Sequence, residues 1–453
     1  MNRKMDNNYD LILHGGNCVS HDGISRSDIA LRDGRIVGIG DYARAKAANF
    51  MNVRGLHVLP GIIDSQVHFR EPGAEHNEDL ESGSRAAVLG GVTSVFEMPN
   101  TRPTTTSTQA LDDKLDRASN RMWCDHAFFV GADKENIDSL STLERHFGCC
   151  GIKLFMGSST GDLLVDDDED IFRVLKNGQR RIAVHSEDEN RLRERRSIAM
   201  ETGDVHAHAQ WRDVETAVSS TRRLLRAARA TGRRVHVLHV TTAEEMRLLA
   251  DEKTLATVEV TPQHLTLASP SCYDMLGTLA QMNPPIRDKA HQEALWQGVR
   301  EGIVDVLGSD HAPHSRKDKD KDYPSSPSGM PGVQTLLPLM LEHVAAGKLT
   351  IMRLVDLLCT GPARVFGIAS KGRIAVGYDG DVTIVDLNSK RRIEESWLAS
   401  KCGWSPFSGF EVRGWPVATI VRGRVCMREG ELLGNPSGEP VRFQESLTPL
   451  SVR

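Results

Sequence analysis

The sequence lacks the marks of a membrane or secreted protein. Its apolar runs are too short to cross a bilayer, and its polar start, MNRKMDNNYD, has no signal-peptide core. The eight cysteines are scattered and form no C-x-x-C pair, which argues against a cysteine zinc site or a disulfide framework. These absences predict a protein of the reducing cytoplasm that does not contact membranes.

The sequence also lacks an excess of basic charge. Its formal net charge is -5, with 39% hydrophobic and 26% charged residues, so no global positive field suggests nucleic acid. One local basic run, RLRERRSIAM at residues 191–200, contains interspersed Glu and follows the acidic stretch SEDEN. We interpret it as a solvated helix face.

Both ends of the chain are rich in short strands. Alternating apolar positions separated by turn residues, such as Asp33-Gly34, predict hairpins near the start, and a similar pattern returns in KGRIAVGYDGDVTIVDL and GWPVATIVRGRVCMREGEL. We predict one small β-sandwich domain built from residues 1–58 and from residues 368–453, which include a tail.

The middle, residues 59–367, alternates eight short apolar runs with helical stretches such as TAVSSTRRLLRAARATG. This alternation predicts an α/β fold, a (β/α)₈ TIM-type barrel. Most runs finish near a chemically capable residue, and barrel active sites lie at the carboxyl ends of the strands. The charged and then Pro/Ser/Gly-rich stretch after the eighth run predicts a mobile loop over the barrel mouth.

Imidazole and carboxylate side chains recur at these strand ends. A single histidine beside an apolar run is usually structural, but four strand ends that converge at one mouth favour a site for Zn²⁺ or a similar divalent ion. The candidate ligands are His68, His185, His239 and Asp310. Lys153, in the fourth run, has two interpretations: a salt bridge to a carboxylate, or a carbamate formed by addition of CO₂ to its amine.

The stretch DSQVHFREPG places Gln66, His68 and Arg70 on one strand face, since side chains at i and i+2 point the same way. Gln66 stands where a second metal-binding histidine would fit. Its amide oxygen can bind a cation, but more weakly than imidazole binds zinc. Arg70 suits a substrate carboxylate, or a salt bridge. Asn100 is a substrate ligand or a turn residue before Pro103.

Eight motifs in order carry a family resemblance: PGIIDSQVHFREPG, EMPNT, GIKLFMGSSTG, VHSED, HVLHVTTAEE, EVTPQHL, MNPPIR and GSDHAPH. The chain resembles the dihydroorotases of the amidohydrolase superfamily from Pro60 to about Gly367, and the β-rich flanks also match. The resemblance implies a cyclic-amide hydrolase that interconverts L-dihydroorotate and N-carbamoyl-L-aspartate in de novo pyrimidine biosynthesis. It implies attack by a metal-bound hydroxide, with one or two Zn²⁺ per subunit.

The resemblance also implies residue roles. His68 and Asp310 would bind the first metal, with Gln66 as a variant ligand there, and His185 and His239 the second. Lys153, carboxylated, would bridge them, and Asp310 would also act as general base and then acid. The remaining implied contacts are to the substrate, its carboxylate held by Arg70, Asn100 and His314 and its ring held by Asn283.

Several alternatives stay open. Dihydropyrimidinases, hydantoinases and allantoinases share much of the pattern but usually lack the Arg. Gln66 leaves the metal count open, and a catalytically silent homologue that partners aspartate transcarbamoylase is a hypothesis of another class. The resemblance further implies a homo-oligomer, a dimer or tetramer. A second histidine pair, His206-x-His208, follows no buried strand, and we interpret it as loop.

Overall fold

The computed structural model describes residues 9–159 and 163–446. The first eight residues, on which the expectation of no signal peptide rests, lie outside this range, as do Thr160 and Gly161 of the GIKLFMGSSTG motif. All eight cysteines lie within it, and each is buried and free. No helix of the described residues combines the length and the apolar character needed to cross a membrane.

A mixed nine-stranded sheet uses both ends of the chain, in the order β17-β16-β15-β14-β5-β1-β2-β3, with β4 also paired to β1. Its strands are β1 (Tyr9–Val19), β2 (Ile24–Arg32), β3 (Arg35–Gly40), β4 (Ala47–Asn52), β5 (His57–Pro60), β14 (Val382–Arg392), β15 (Glu411–Val421), β16 (Arg424–Arg428) and β17 (Glu431–Leu432). The predicted turn at Asp33-Gly34 joins β2 to β3, and both residues have positive φ, as a two-residue hairpin turn requires.

The central segment forms eight parallel strands in chain order. They are β6 (Ile62–Val67), β7 (Val92–Glu97), β8 (Asp125–Gly131), β9 (Cys149–Phe155), β10 (Ile182–His185), β11 (Val235–Val237), β12 (Ala256–Val260) and β13 (Val306–Leu307). Every residue of these strands is buried, because helices cover the outside and side chains fill the inside. The ring closes where Val67 bridges His311 and the His68 amide donates to the His311 carbonyl at 2.7 Å.

Sixteen α-helices and a π-helical turn at Asp356–Thr360 lie among the described residues. They are α1 (Leu80–Leu89), α2 (Thr108–Ala118), α3 (Leu140–Leu143), α4 (Asp168–Lys176), α5 (Glu189–Glu194), α6 (Arg196–Thr202), α7 (His208–Trp211), α8 (Val214–Thr231), α9 (Ala243–Ala250), α10 (Pro262–Thr266), α11 (Ser271–Leu276), α12 (Lys289–Arg300), α13 (Arg316–Lys319), α14 (Leu336–Ala345), α15 (Ile351–Val355) and α16 (Gly361–Val365). Side chains cap many of their first turns, as Asp213 does at α8, where its carboxylate accepts from the Thr216 amide.

The predicted fold class is confirmed: a TIM-type barrel of eight parallel strands is accompanied by a second sheet from both chain ends. The strands of this second sheet share one apolar core, in which Leu11, Ile29 and Val58 from the start of the chain pack with Ile384 and Ile420 from its end. The chain passes from one sheet to the other between Pro60 and Ile62 and returns after α16. The domain boundaries at 58/59 and 367/368 stay predictions.

Candidate active site

Nine of the ten predicted site residues line one small cavity at the carboxyl ends of the barrel strands. They are Gln66, His68, Arg70, Asn100, Lys153, His185, His239, Asn283 and Asp310. The tenth, His314, lies behind them, with its Nε2 3.2 Å from Nη2 of Arg70. The structure therefore brings together residues that the sequence separates by up to about 250 positions.

Three of these residues have strained backbones. Arg70, His239 and Asp310 have φ values of 63°, 36° and 44°, in a region that side chains with a Cβ rarely adopt. Each stands two or three residues after its strand ends. Such strain is concentrated at functional sites, where the surrounding structure fixes an otherwise unfavourable conformation.

One group of ligands surrounds a single oxygen of Asp310. The Gln66 side-chain amide donates to Oδ1 of Asp310 at 3.0 Å, and Nε2 of His68 lies 3.2 Å from the same oxygen. The other ring nitrogen of His68, Nδ1, donates to Oδ1 of Asn100 at 2.8 Å. Nε2 of a neutral His68 therefore presents a lone pair to a carboxylate oxygen, an arrangement that suits a cation between them.

The second group comprises His185, His239 and Lys153. Nδ1 of His185 lies 3.1 Å from Nε2 of His239. Nε2 of His185 donates to Oε2 of Glu187 at 2.8 Å, which leaves Nδ1 with its lone pair toward His239. Burial lowers the pKa of both imidazoles, so both rings are neutral at neutral pH, the state in which histidine binds metal.

Lys153 is a buried amine without a hydrogen-bond partner among the described residues, although its Nζ lies 4.1 Å from the centroid of the Phe155 ring. Its side chain is 1% exposed, and Nζ has no hydrogen bond among the described residues. Burial lowers the pKa of Lys153 to about 7, although Asp310 and Glu259 oppose the shift. Of the two interpretations left open by the sequence, the salt bridge is wrong, because no carboxylate of the described residues pairs with Nζ. A free amine of this pKa is uncharged often enough to add CO₂.

The residues fit a divalent cation. Three buried polar atoms of the cavity have no partner among the described residues: Nζ of Lys153, Nδ1 of His239 and Oε1 of Gln66. Buried polar atoms are normally satisfied, so three orphans in one small cavity indicate a missing partner. Neutral imidazoles beside a carboxylate are ligands that Zn²⁺ accepts.

Arg70 is a buried guanidinium at the same mouth. Its Nε donates to the Pro313 carbonyl at 3.1 Å, and no carboxylate of the described residues forms an ion pair with it. Burial lowers the pKa of Arg70 to about 10, which still leaves it charged at neutral pH. His314, whose pKa burial lowers well below its usual value, contacts it as a neutral ring. The alternative of a surface or interdomain salt bridge for Arg70 is therefore wrong for the described residues.

His208 corrects the interpretation of the second histidine pair as loop. The residue begins α7 and is fully buried, and burial lowers its pKa to about 3. Its Nε2 lies 3.0 Å from Oδ1 of Asn283 and 3.0 Å from the Met282 carbonyl. His208 therefore positions a predicted substrate residue. His206, its half-buried neighbour, pairs with Asp204 and Asp274 away from the cavity.

The sequence interpretation also missed Glu187. This buried carboxylate, two residues after His185, accepts from His185 and from Arg212. Burial alone would raise the pKa of Glu187, but Arg212 and His185 outweigh it and lower the pKa. The spacing of two residues after a candidate ligand was the available signal.

The loop after β13 borders the cavity. Two residues of this loop, Ser328 and Gly329, line the cavity. The short helix α13 also belongs to this loop. Lys319 of its charged run is buried and donates from Nζ to the Gln281 and Pro327 carbonyls, both at 2.9 Å. The basic run at 191–200, by contrast, is solvated as predicted, with Arg191 paired to Asp213 and Arg193 to Asp166.

A different acidic cluster lies at the opposite end of the barrel. Asp125, Asp379 and Asp381 are, among the described residues, the one group of three His, Cys, Asp or Glu side chains whose ligand atoms lie within 4.8 Å of one another. Nζ of Lys371 contacts all three, and Arg422 contacts Asp125. Two cations of the chain itself thus already occupy the place of a metal ion.

Comparison with known proteins agrees with this geometry. The model of the Amidohydrolase family matches residues 57–426. Dihydroorotase from Halobacterium salinarum is 37% identical over 85% of this chain and 89% of its own length. Allantoinase from Deinococcus radiodurans is 32% identical over 96% of this chain and 98% of its own length. The solved structure of L-hydantoinase (dihydropyrimidinase) from Arthrobacter aurescens superposes with a TM-score of 0.91 at 31% identity, over 96% of this chain and 99% of that one.

Proposed function

Because this chain belongs to the amidohydrolase family, we propose that it hydrolyses a cyclic amide and that the preferred substrate is L-dihydroorotate. The reaction would interconvert dihydroorotate and N-carbamoyl-L-aspartate, in the direction of ring closure during pyrimidine biosynthesis. Dihydroorotases at 33–37% identity over most of the chain support this choice among the family's activities.

The observation that carries the proposal is the unpaired guanidinium of Arg70. A buried charge is costly unless an opposite charge pairs with it, and no carboxylate of the described residues does so. Dihydroorotate carries a ring carboxylate that would supply the missing charge, whereas dihydrouracil, hydantoin and allantoin carry none. Asn100 and His314, both adjacent to the Arg70–His68 face, would complete the carboxylate site.

The remaining residues divide the chemistry between them. His68, His185, His239 and Asp310 would hold Zn²⁺, with Lys153 bridging as a carbamate. A divalent ion, when bound, supplies Lewis acidity that polarises the scissile carbonyl and acidifies water. Asp310, held by Gln66 and facing the cavity, would take the proton from the attacking water and deliver it to the leaving ring nitrogen. Asn283, fixed by His208, would orient the ring.

Steady-state assays of the zinc-loaded protein on dihydroorotate, dihydrouracil, hydantoin and allantoin test the proposal. We expect the highest kcat/KM on dihydroorotate. Arg70→Gln should lower that value about 10- to 100-fold, the worth of hydrogen bonds to a charged group, and leave any turnover of the neutral substrates unchanged. Arg316→Gln, on the exposed face of α13 in the mouth loop, is the matched control. Faster turnover of hydantoin or dihydrouracil, indifferent to Arg70, contradicts the proposal.

A second candidate is a hydrolase of neutral cyclic amides. The near-complete superposition on L-hydantoinase and the allantoinase relative favour it, and the same four-substrate assay decides. The catalytically silent homologue predicted from Gln66 is a third reading. Metal analysis distinguishes it, because a silent scaffold would take up no metal and its His239→Ala variant would behave like the wild type. A dimeric or tetrameric assembly, partnership with aspartate transcarbamoylase and a cytoplasmic location stay predictions.

A further inference from the structure

Gln66 sets one half of the candidate metal centre apart from the other. It is 1% exposed on β6, and its carboxamide nitrogen, not its oxygen, is directed at Asp310. Its oxygen, Oε1, is buried without a partner among the described residues. Gln66 thus holds Asp310 as a hydrogen-bond donor through its carboxamide nitrogen, which leaves only the neutral amide oxygen for a cation.

The two halves offer different donor sets. The half formed by His185, His239 and Lys153 presents two imidazoles and a buried amine whose Nζ has no hydrogen-bond partner among the described residues, and which would become an anionic carbamate on addition of CO₂. The other half presents one imidazole, from His68, and one carboxylate, from Asp310, together with the neutral amide of Gln66. Zn²⁺ prefers nitrogen ligands and binds amide oxygen weakly, so the second set is the poorer one.

We propose that the two halves bind divalent cations unequally. The half formed by His185, His239 and Lys153 retains its ion, and the half formed by Gln66, His68 and Asp310 exchanges its ion readily. Gln66 is a positioning residue that keeps the Asp310 carboxylate in place when the second ion is absent. The inference rests on the proposed function only in that both take this cavity to bind metal.

The hydrogen-bond partners of the candidate ligands also differ between the two halves. His185, in the retaining half, is held by Glu187, which Arg212 in turn holds, so a buried carboxylate increases the basicity of this ligand. His68, in the exchanging half, donates instead to the neutral amide oxygen of Asn100. A neutral acceptor polarises the imidazole less than a carboxylate does. The difference between the halves therefore extends beyond Gln66 itself.

The test measures bound metal directly. The protein, loaded with excess Zn²⁺ and then dialysed against a chelator of moderate strength, is analysed by plasma mass spectrometry, and Zn²⁺ is titrated into the apoprotein by calorimetry. We expect one ion per chain to be retained, with a second binding at least about 10-fold more weakly. Gln66→His should retain two ions, and loading with Mn²⁺ should give the electron-paramagnetic signature of a coupled pair in this variant at two equivalents.

Two further variants keep the test decisive. Gln66→Leu, which fills similar volume without a donor or acceptor, should still retain one ion but lower kcat, because Asp310 loses its hydrogen bond. His239→Ala should lose the retained ion, and circular dichroism shows whether each variant is folded. Retention of two ions by the wild type, as tightly as by Gln66→His, overturns the inference. Loss of the retained ion in Gln66→Leu but not in His239→Ala overturns it as well.

These outcomes separate the inference from the proposed function. A protein that retains one ion and turns over none of the four cyclic amides contradicts the proposed function and leaves the unequal halves standing. A protein that turns over dihydroorotate while it holds two ions with equal affinity does the reverse.

Discussion

Two buried lysines, at opposite ends of the same barrel, show how differently one side chain can be used. At the amino end of the strands, Lys371 contacts three aspartates, Asp125 among them at 2.5 Å, and these neighbours outweigh burial and raise its pKa. At the carboxyl end, Lys153 contacts the Phe155 ring but has no hydrogen-bond partner among the described residues, and burial lowers its pKa to about 7. The satisfied lysine holds the fold together, and the orphaned one is available for chemistry.

The same contrast separates the two ends as wholes. The Lys371 cluster links the start of β8 to the segment that leads into β14 and, through Arg422, to the β15–β16 turn, so it joins the barrel to the second sheet. The opposite end carries the positive φ values of Arg70, His239 and Asp310 and the three buried atoms that have no hydrogen-bond partner in the described part of the chain. Stabilising ion pairs are concentrated at the amino end of the strands, whereas strained backbones and unsatisfied buried polar atoms are concentrated at the carboxyl end, where the candidate active site lies.

The largest expected effect is on catalysis, from Lys153→Met. Loss of the bridging amine should lower kcat/KM on the best cyclic amide on the order of 10³-fold, more than removal of an outer-shell metal partner costs. The free energy of unfolding of the metal-free protein should not fall, because the variant replaces a buried amine that has no hydrogen-bond partner among the described residues by an apolar side chain of similar length. Kinetics and urea denaturation of the same sample measure both quantities. A marked loss of stability would mean that Lys153 has a structural partner after all.

Lys371→Met should have the opposite profile. Three buried aspartates would lose their common cation, and breaking a buried ion network in this way costs about 3–5 kcal/mol. Urea denaturation measures the loss, and kcat/KM of the fraction that remains folded should be unchanged. A matched control is Lys348→Met, on a half-exposed lysine near α14, which should change stability little. Comparable stability for the Lys371 and Lys348 variants would show that the aspartates are protonated and need no cation.

The pH dependence of stability should also differ in sign between the two lysines. The pKa of Lys153 is lower in the folded protein than in the unfolded chain, so between about pH 7 and its ordinary value the unfolded state binds more protons and stability rises with pH. Each pKa unit corresponds to about 1.4 kcal/mol, so the gain should reach a few kcal/mol. The pKa of Lys371 is raised, and its contribution is complete below its ordinary value and lost only at higher pH.

Metal-free protein in carbonate-free buffer, denatured by urea at pH 7 and at pH 10, isolates the Lys153 contribution. The stability advantage of Lys153→Met over the wild type should be largest at pH 7 and should shrink toward pH 10. An advantage that does not change with pH means that Lys153 titrates normally in the folded protein.

The contrast between these lysines also marks what the sequence could predict. The eight apolar runs, each buried on both faces, identify the barrel, and the barrel places His68, Lys153, His185, His239 and Asp310 at one end. Lys371 could not be found in this way, because its partner Asp125 is 246 residues distant and the pairing depends on how the two sheets dock.

Contacts between segments far apart in the sequence were equally hidden. His208 lies 75 residues from Asn283, and no periodic pattern connects them. Its burial arises because α7 packs against the segment around Met282, a tertiary event that local propensity does not encode. Arg70 and His314 became neighbours only when the ring closed between β6 and the segment after β13.

Substitution of Glu187 should have the smallest effect of these variants. Glu187 tests the contrast between the two ends of the barrel most directly, because it is a paired buried charge that lies at the end with the candidate active site. It is paired like Lys371, yet its partner His185 is a candidate ligand. Glu187→Gln keeps the shape and a hydrogen-bond acceptor but removes the charge, so affinity for the retained ion should fall about 10- to 100-fold. Zn²⁺ titration of the apoprotein measures this change, and Glu245→Gln, which alters a buried carboxylate bound to Thr242 and Thr221 away from the cavity, is the control. Unchanged zinc affinity, accompanied by a loss of stability, would place Glu187 with Lys371 among the residues that only hold the fold together.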